Sequence, residues 1–286
     1  MTLTRMATLV LAVIASACTT TSAVRSNWQS RLQDSAVVLL GEVHDNPELH
    51  RLRLEAFRRA VVAGWRPVIA MEQFDREHQA DIDRARREKP DDPQHVIDLA
   101  APARTGSTGG WNWDLYRPVV ALALEYDLPL IAANLSRSDA EKVAQDGYAA
   151  VFDSTTRTTL GLDQPIAPDW QAAQEREIEA GHCHALPKEM LPALARAQFA
   201  RDAVMAAILR AHATDGVVLL AGNGHVRRDI GVPRWLGPAL QPRALSVGYL
   251  EKGDAMPPAA FDAVVYGPPA ARAPPCAQFE KQKRSP

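Results

Sequence analysis

Two segments of the chain end an apolar run with the pattern Gly-x-x-His, which places an imidazole just beyond each run. The first run, 37–40, leads to His44, and the second run, 217–221, leads to His225. Both runs are short and contain β-branched residues, which is typical of buried parallel strands. Ligands bind at the carboxyl edge of open α/β sheets. We therefore expect His44 and His225 to meet at one site.

Carboxylate and amide side chains follow the predicted strands at the same edge. Glu42 lies between the first strand and His44, Glu72 follows the second strand, and Asn134 follows the third. A carboxylate next to an apolar strand is costly to bury unless it is paired. One interpretation is a divalent-metal site with His44, Glu72 and His225 as ligands and Glu42 as the general base on metal-bound water.

Other interpretations of the same carboxylates stay open. Glu42 and a histidine could form a general acid/base pair without a metal. If Glu42 and Glu72 have no functional role, we expect them to cap helix N-termini, where a negative charge is favourable.

A long helix predicted over 188–212 adds a second polar feature. Gln198, Arg201 and Asp202 interrupt a stripe that is otherwise apolar and faces the core. Buried polar groups need partners, so we expect these side chains to line a polar site. A surface pairing of Arg201 with Asp202 is the weaker alternative, since adjacent helical residues do not face each other.

His182 belongs to a His-Cys-His triplet at 182–184. Three consecutive ligands do not converge easily on one ion, and the chain has neither Cys-x-x-Cys nor His-Glu-x-x-His. We interpret the triplet as a loop that lines the site, not as a zinc centre.

The richest aromatic cluster lies in the glycine-led segment 109–118. Trp111, Trp113 and Tyr116 could form the wall of a flat apolar ligand site, and a tyrosinate can bind iron. In the alternative, these rings anchor the loop to the core.

Strand-like and helical segments alternate along the chain. Strands are predicted at 37–41, 68–71, 128–133, 217–221, 245–250 and 263–266; helices at 47–63, 116–126, from Ser138 onward, at 175–180 and at 188–212; and a loop over 91–110. The alternation predicts an α/β fold with a mostly parallel central sheet flanked by helices.

Length and charge narrow the class of protein. The chain has 286 residues, of which 47% are hydrophobic, which suits one large domain, here 31–268. Its 32 basic and 34 acidic side chains give a net charge of −2, so the basic face of a nucleic-acid binder is not expected.

The N-terminus predicts export. Residues 1–17 have a basic start at Arg5 and an apolar stretch too short to span a bilayer, which indicates a signal peptide. The sequence Ile-Ala-Ser-Ala before Cys18 resembles a bacterial lipobox, although Ala15 stands where leucine is usual. We expect Cys18 to be lipidated, which would hold the protein on a membrane; an ordinary signal peptide cleaved after Ala17 is the alternative.

Three further predictions concern Thr19, the segment that follows it and the C-terminal segment. Thr19 after the lipobox cysteine favours the outer membrane, with the protein on its periplasmic side in a Gram-negative source. Residues 18–30 are predicted to be a polar tether, and 269–286, rich in proline, a disordered tail. An oxidising compartment permits a disulfide between Cys183 and Cys276, but their spacing does not predict one.

Seven motifs in order resemble the ChaN family of iron-regulated, haem-binding lipoproteins. They are Gly-Glu-Val-His-Asp-Asn-Pro at 41–47, Met-Glu-Gln-Phe at 71–74, Trp-Asn-Trp-Asp-Leu-Tyr-Arg-Pro at 111–118, Ala-Asn-Leu-Ser-Arg at 133–137, His-Cys-His-Ala-Leu-Pro at 182–187, Gln-Phe-Ala-Arg-Asp-Ala-Val-Met-Ala at 198–206 and Ala-Gly-Asn-Gly-His-Val-Arg-Arg-Asp-Ile-Gly-Val-Pro at 221–233. That family is similar to a wider set that includes Tiki metalloproteases and erythromycin-esterase-like proteins.

The resemblance implies an α/β fold with an added helical subdomain. It also implies a cleft that takes haem between two subunits, with a tyrosine as the iron ligand. Tyr116 matches the motif best, and Tyr148 and Tyr249 remain alternatives. We expect Trp111 and Trp113 to flank the haem.

The expected function is that of a lipoprotein that binds haem in the uptake or handling of iron. His44 and His225 would lie at the haem cleft, and Arg117, Arg137 or Arg228 would hold the propionates. Expected partners are haem, a membrane through the lipid anchor, a second copy of the chain and an outer-membrane haem receptor. Two alternatives remain: the metal-dependent hydrolase, and a binding module that keeps the polar edge only for stability.

Overall fold

Six apolar segments form one parallel sheet in a computed structural model that describes residues 28–101, 110–273 and 276. The strands are β1 Val37–Leu40, β2 Val68–Asp75, β3 Leu130–Asn134, β4 Val217–Leu220, β5 Ala244–Glu251 and β6 Ala263–Gly267. Their order is β3-β2-β4-β1-β5-β6, and every neighbouring pair is parallel. The predicted α/β class is confirmed.

The central strands β1 and β4 are buried along their whole length. They are in register, with Leu40 opposite Leu220. Val37 and Leu39 face one core, while Val38 and Leu40 face the other. Both faces of a parallel sheet are covered by helices, so its strands are apolar on both sides. Because β1 and β4 end side by side, the segments that follow them emerge together.

Helices cover the two faces in two groups. They are α1 Pro47–Val62, α2 Gln79–Glu88, α3 Pro93–Ala100, α4 Trp113–Glu125, α5 Arg137–Asp146, α6 Ser154–Leu160, α7 Pro168–Gly181, α8 Leu191–His212 and the short α9 Asn223–Val226. Helices α1–α4 contribute to the core that contains Val38, and α5–α8 to the core that contains Val37. The second group corresponds to the expected added helices. No helix among the described residues is long and apolar enough to span a membrane.

Several elements differ from the sequence prediction: α2 and α6 were not predicted, and α7 begins at Pro168 and not at 175. The predicted loop 91–110 contains α3, which begins with Asp92 as its cap and Pro93 in its first turn. Both are standard signals for a helix start. The glycine and serine residues that suggested a loop come after Ala100 in the sequence. Strand β2 continues to Asp75, beyond its predicted end, so that Glu72 lies inside the strand.

The described part of the predicted disordered tail is tied to the domain. The Pro268 carbonyl accepts a hydrogen bond from Asn46, and Arg272 forms ion pairs with Glu251 and Asp45. The described residues 269–273 thus contact the domain through Ala270 and Arg272. Apart from Cys276, the rest of the tail lies outside the described residues, as do the signal peptide, Cys18 and most of the tether.

The two cysteines of the domain form a disulfide. Cys276 is bonded to Cys183, which follows the end of α7 and lies 93 residues earlier in the chain. The pairing that the sequence left open is therefore present, and it ties the C-terminal segment to the loop between α7 and α8.

Candidate functional site

The carboxylate of Glu42 organises the carboxyl edge of the sheet. One of its oxygens accepts hydrogen bonds from the Tyr116 hydroxyl at 2.5 Å, His44 Nδ1 at 2.7 Å and Gln73 Nε2 at 3.2 Å, and the other pairs with Arg53. The Glu42 side chain is almost completely buried. Burial opposes its ionisation, but the charge of Arg53 and the bond from His44 hold the pKa of Glu42 well below its usual range.

His44 is fixed on one side and open on the other. Its side chain is 50% exposed, and its ring contacts Trp111 with 4.8 Å between centroids. Burial opposes protonation, but the hydrogen bond to Glu42 and the charge of Glu72 raise the pKa of His44 to about 9. His44 is therefore an imidazolium at neutral pH.

Gly222 explains how the two Gly-x-x-His segments come together. A Cβ atom built on Gly222 would lie 3.0 Å from His44 Nε2 and Cε1, so glycine leaves the space that the His44 ring needs. The Gly222 amide donates to Glu72 Oε2 at 2.8 Å. The second segment thus contacts both His44 and Glu72.

His225 forms a second pair of histidine and carboxylate. Its Nδ1 lies 2.6 Å from Asp202 Oδ1, and its Nε2 lies 3.5 Å from Glu72 Oε1. Burial opposes protonation, but Glu72 and Asp202 raise the pKa of His225 above its usual value. Burial also raises the pKa of Asp202 to about 6, against the effect of His225. The expected meeting of His44 and His225 is thus realised around Glu72.

This arrangement does not support the metal-dependent interpretation. Among the described residues, no group of three or more His, Cys, Asp or Glu side chains could hold a metal ion. Glu42 has both oxygens occupied and is 3% exposed, so it cannot act as general base on a bound water. Its role here is to position His44.

Tyr116 lies inside this network and not at the surface. Its side chain is fully buried, and burial together with the charge of Glu42 raises its pKa above the usual value. Trp111 and Trp113 pack edge-on against the Tyr116 ring and are partly exposed. The aromatic cluster therefore packs together at the start of α4, while Trp111 still presents a surface next to His44.

The polar stripe of α8 reaches the same edge. Asp202 contacts His225, as described above, while Gln198 Oε1 and Arg201 Nε are buried without a hydrogen bond among the described residues. Asn134, at the end of β3, donates to Asp75 at 2.8 Å, and its own Oδ1 has no partner there. That these side chains line a polar site stays a prediction.

Other predicted residues are engaged elsewhere. Arg117 is paired with Asp114, Arg137 with Glu141, and Arg228 with Asp262 and the Ala244 carbonyl at the start of β5. His182 Nδ1 bonds to the Ile178 carbonyl at the end of α7.

Sequence reasoning missed Arg53 and Gln73, and it left open whether His50 faces this edge or solvent; His50 is buried on α1. Arg53 occupies the stripe of α1 that also carries Leu49 and Ala56, and it contacts His50 at 3.2 Å. Burial and the charge of Arg53 lower the pKa of His50 to about 4. A charged residue within an apolar helical stripe was the signal that could have revealed this network.

The His44–Glu42 pair predicts a pH-dependent stability. A histidine whose pKa is raised by folding contributes stability that is complete below pH 6.5 and is lost as the pH rises through about 9. In urea unfolding from pH 6 to 10, wild-type protein should be more stable than His44→Gln at pH 6, and the two curves should converge above pH 9. In a Glu42→Gln background the difference should become much smaller, because only the charge of Glu72 still favours the protonated ring. A constant difference across the range would contradict this account of the pair.

The comparisons with known proteins agree with this fold. The family model described as haem-binding uptake, Tiki superfamily, ChaN matches residues 28–236. The solved structure of Campylobacter jejuni ChaN, described as binding heme cofacially, is similar with 21% identity and a TM-score of 0.59 over 78% of this chain and 84% of that chain.

Two further structures are more distant. The type III effector HopBA1 has 14% identity and a TM-score of 0.46 over 84% of this chain and 91% of its own. A mutant of the erythromycin esterase EreC has 12% identity and a TM-score of 0.46, covering 78% and 72%. A search of curated proteins finds no significant match. Because the family match covers more than half of the sequence, the chain belongs to the ChaN family of haem-binding uptake proteins in the Tiki superfamily.

Proposed function

We propose that this protein binds haem at the carboxyl edge of its sheet and acts in the uptake or handling of haem iron. The observation that carries the proposal is the family match over residues 28–236. Campylobacter jejuni ChaN, which has the same fold, binds heme cofacially. By analogy, two copies of this chain would enclose haem between them.

The residues at this edge fit such a ligand. Trp111 offers partly exposed aromatic surface beside the half-exposed His44, and Trp113, also partly exposed, packs against the same Tyr116 ring as Trp111. A flat apolar macrocycle needs this kind of wall, together with polar groups for its carboxylates. Bound haem would supply an iron centre that takes an axial ligand from the protein.

Among the tyrosines considered from the sequence, Tyr148 suits this role best. Tyr116 donates its hydroxyl to Glu42, and the Tyr249 hydroxyl is buried. Tyr148 is only partly buried, and its hydroxyl makes no hydrogen bond with the described residues. Burial raises the pKa of Tyr148 to about 12, against the charge of Arg196. Coordination to iron would favour its deprotonated form.

The proposal extends to the cellular location. A lipid on Cys18 would hold the protein on the periplasmic side of the outer membrane, where it could receive haem from an outer-membrane receptor. The disulfide between Cys183 and Cys276 fits an oxidising compartment of this kind. The lipid on Cys18, the cellular location and the receptor are proposed from the sequence alone.

Haem titration followed by the Soret band tests the central proposal. Wild-type protein should bind haem saturably, and sedimentation should report a dimer when haem is present. Tyr148→Phe should weaken binding about tenfold or more and shift the Soret band, because the iron loses its phenol ligand. Tyr266→Phe, which changes an exposed tyrosine on β6, serves as control. Absence of saturable binding by wild-type protein would contradict the proposal.

The pairs His44–Glu42 and His225–Asp202 favour a second candidate function, a hydrolase that works without metal. Each Nδ1 is held by a carboxylate, and His225 Nε2 is directed to Glu72. In its neutral form His225 could take a proton from water as the water attacks an ester carbonyl, and then pass that proton to the leaving alcohol. The His44 imidazolium could donate a hydrogen bond to the developing oxyanion.

Hydrolysis of p-nitrophenyl acetate tests this candidate. Activity should be insensitive to EDTA and should rise with pH, because the pKa of His225 is raised and its neutral form is the base. His225→Asn should lower the rate about 100-fold or more, and His182→Asn, in the exposed loop after α7, should not. Loss of activity in EDTA, or full activity of His225→Asn, would exclude this mechanism.

A further inference from the structure

Arg201 is a partly buried cation without a partner. It lies on α8, and it forms no hydrogen bond or ion pair with any residue that the structure describes. Every other arginine of the described segments that is at least partly buried has such a partner. The Nε atom of Arg201 is also shielded from solvent. A guanidinium removed from water normally acquires an acceptor.

The surroundings of Arg201 place it at the candidate site. Burial raises the pKa of Asp75 and of Asp202, and the nearby charge of Arg201 acts against this rise; the same charge opposes protonation of His225, whose pKa is raised by Glu72 and Asp202. Asp202 and His225 form the second histidine pair of the site. Asp75 is the last residue of β2. Arg201 therefore lies on α8 near the end of β2 and near His225.

The carboxylates near Arg201 are already satisfied by other groups. Asp202 is 2.6 Å from His225, and Asp75 accepts a hydrogen bond from Asn134. Among the described residues, neither of them lies within ion-pair distance of Arg201. The described residues thus supply no counter-charge in contact with Arg201.

Two unpartnered oxygens lie in the same part of the molecule. Asn134 is 9% exposed, and its amide nitrogen is held by Asp75, which fixes its Oδ1 as a free acceptor. Gln198 lies on the same stripe of α8, one turn before Arg201 and Asp202, and its buried Oε1 also has no partner. Unfilled hydrogen-bonding groups that cluster at the carboxyl edge indicate a ligand subsite.

We propose that Arg201 binds a carboxylate of the ligand, which is a propionate of haem if the proposed function holds. A guanidinium can bind a carboxylate through two parallel hydrogen bonds. The proposal gives Arg201 the role that the sequence suggested for Arg117, Arg137 or Arg228, each of which already has an acidic partner. Gln198 and Asn134 would border the same subsite.

The test compares haem with its dimethyl ester, which keeps the macrocycle and iron but lacks both carboxylates. Affinities of the full chain are measured by absorbance for wild-type protein, Arg201→Gln, Arg201→Lys and the control Arg228→Gln. Arg201→Gln should weaken binding of haem by about 10- to 100-fold and leave binding of the ester unchanged. Arg201→Lys should retain part of the affinity, because it keeps the charge but not the paired geometry.

The outcomes separate this proposal from the proposed function. If wild-type protein binds haem but Arg201→Gln binds it equally well, or loses both ligands equally, the role of Arg201 is overturned and haem binding stands. If wild-type protein binds neither ligand, the proposed function fails as well. If Arg201→Gln does not fold, the test uses wild-type protein alone. Its affinity for haem should fall as the salt concentration rises, whereas its affinity for the ester should not. Equal salt dependence of the two affinities would overturn the proposal.

Discussion

The buried charge of Glu42 is the constraint on which the candidate site depends. A carboxylate at the end of an apolar strand is stable only if other groups compensate its charge and fill its hydrogen-bonding capacity. Here Arg53 comes from α1, Tyr116 from α4, Gln73 from β2 and His44 from the loop after β1. One anion thus fixes three secondary-structure elements and one loop relative to each other.

The members of the aromatic cluster have different roles with respect to this network. Tyr116 is committed to Glu42 and belongs to the framework, whereas Trp111 reaches past it to contact His44. His44 in turn is fixed at Nδ1 and presents its other edge to Gly222. A rigid imidazolium next to a partly exposed indole is a prepared surface for a ligand, because little ordering remains to be done on binding.

Local sequence patterns were sufficient for the parallel sheet and for the meeting of the two histidines. Short apolar runs followed by Gly-x-x-His identify β1 and β4, and parallel strands end at one edge. The partners of Glu42 were not predictable in this way, because Arg53 and Tyr116 lie 11 and 74 residues away and reach it only through tertiary packing. The disulfide of Cys183 also depends on the path of the C-terminal segment, which composition alone described as disordered.

Replacing Glu42 by glutamine tests the central claim most directly. If Glu42 holds the site together, Glu42→Gln leaves Arg53 buried without a counter-charge and should lower the unfolding free energy by about 3–5 kcal/mol. In the same protein the pKa of His44, followed by NMR, should fall from about 9 towards its usual value. Glu48→Gln, which changes a surface partner of Arg51 on α1, should alter neither quantity. A Glu42→Gln protein as stable as wild type, with His44 titrating unchanged, would contradict the account.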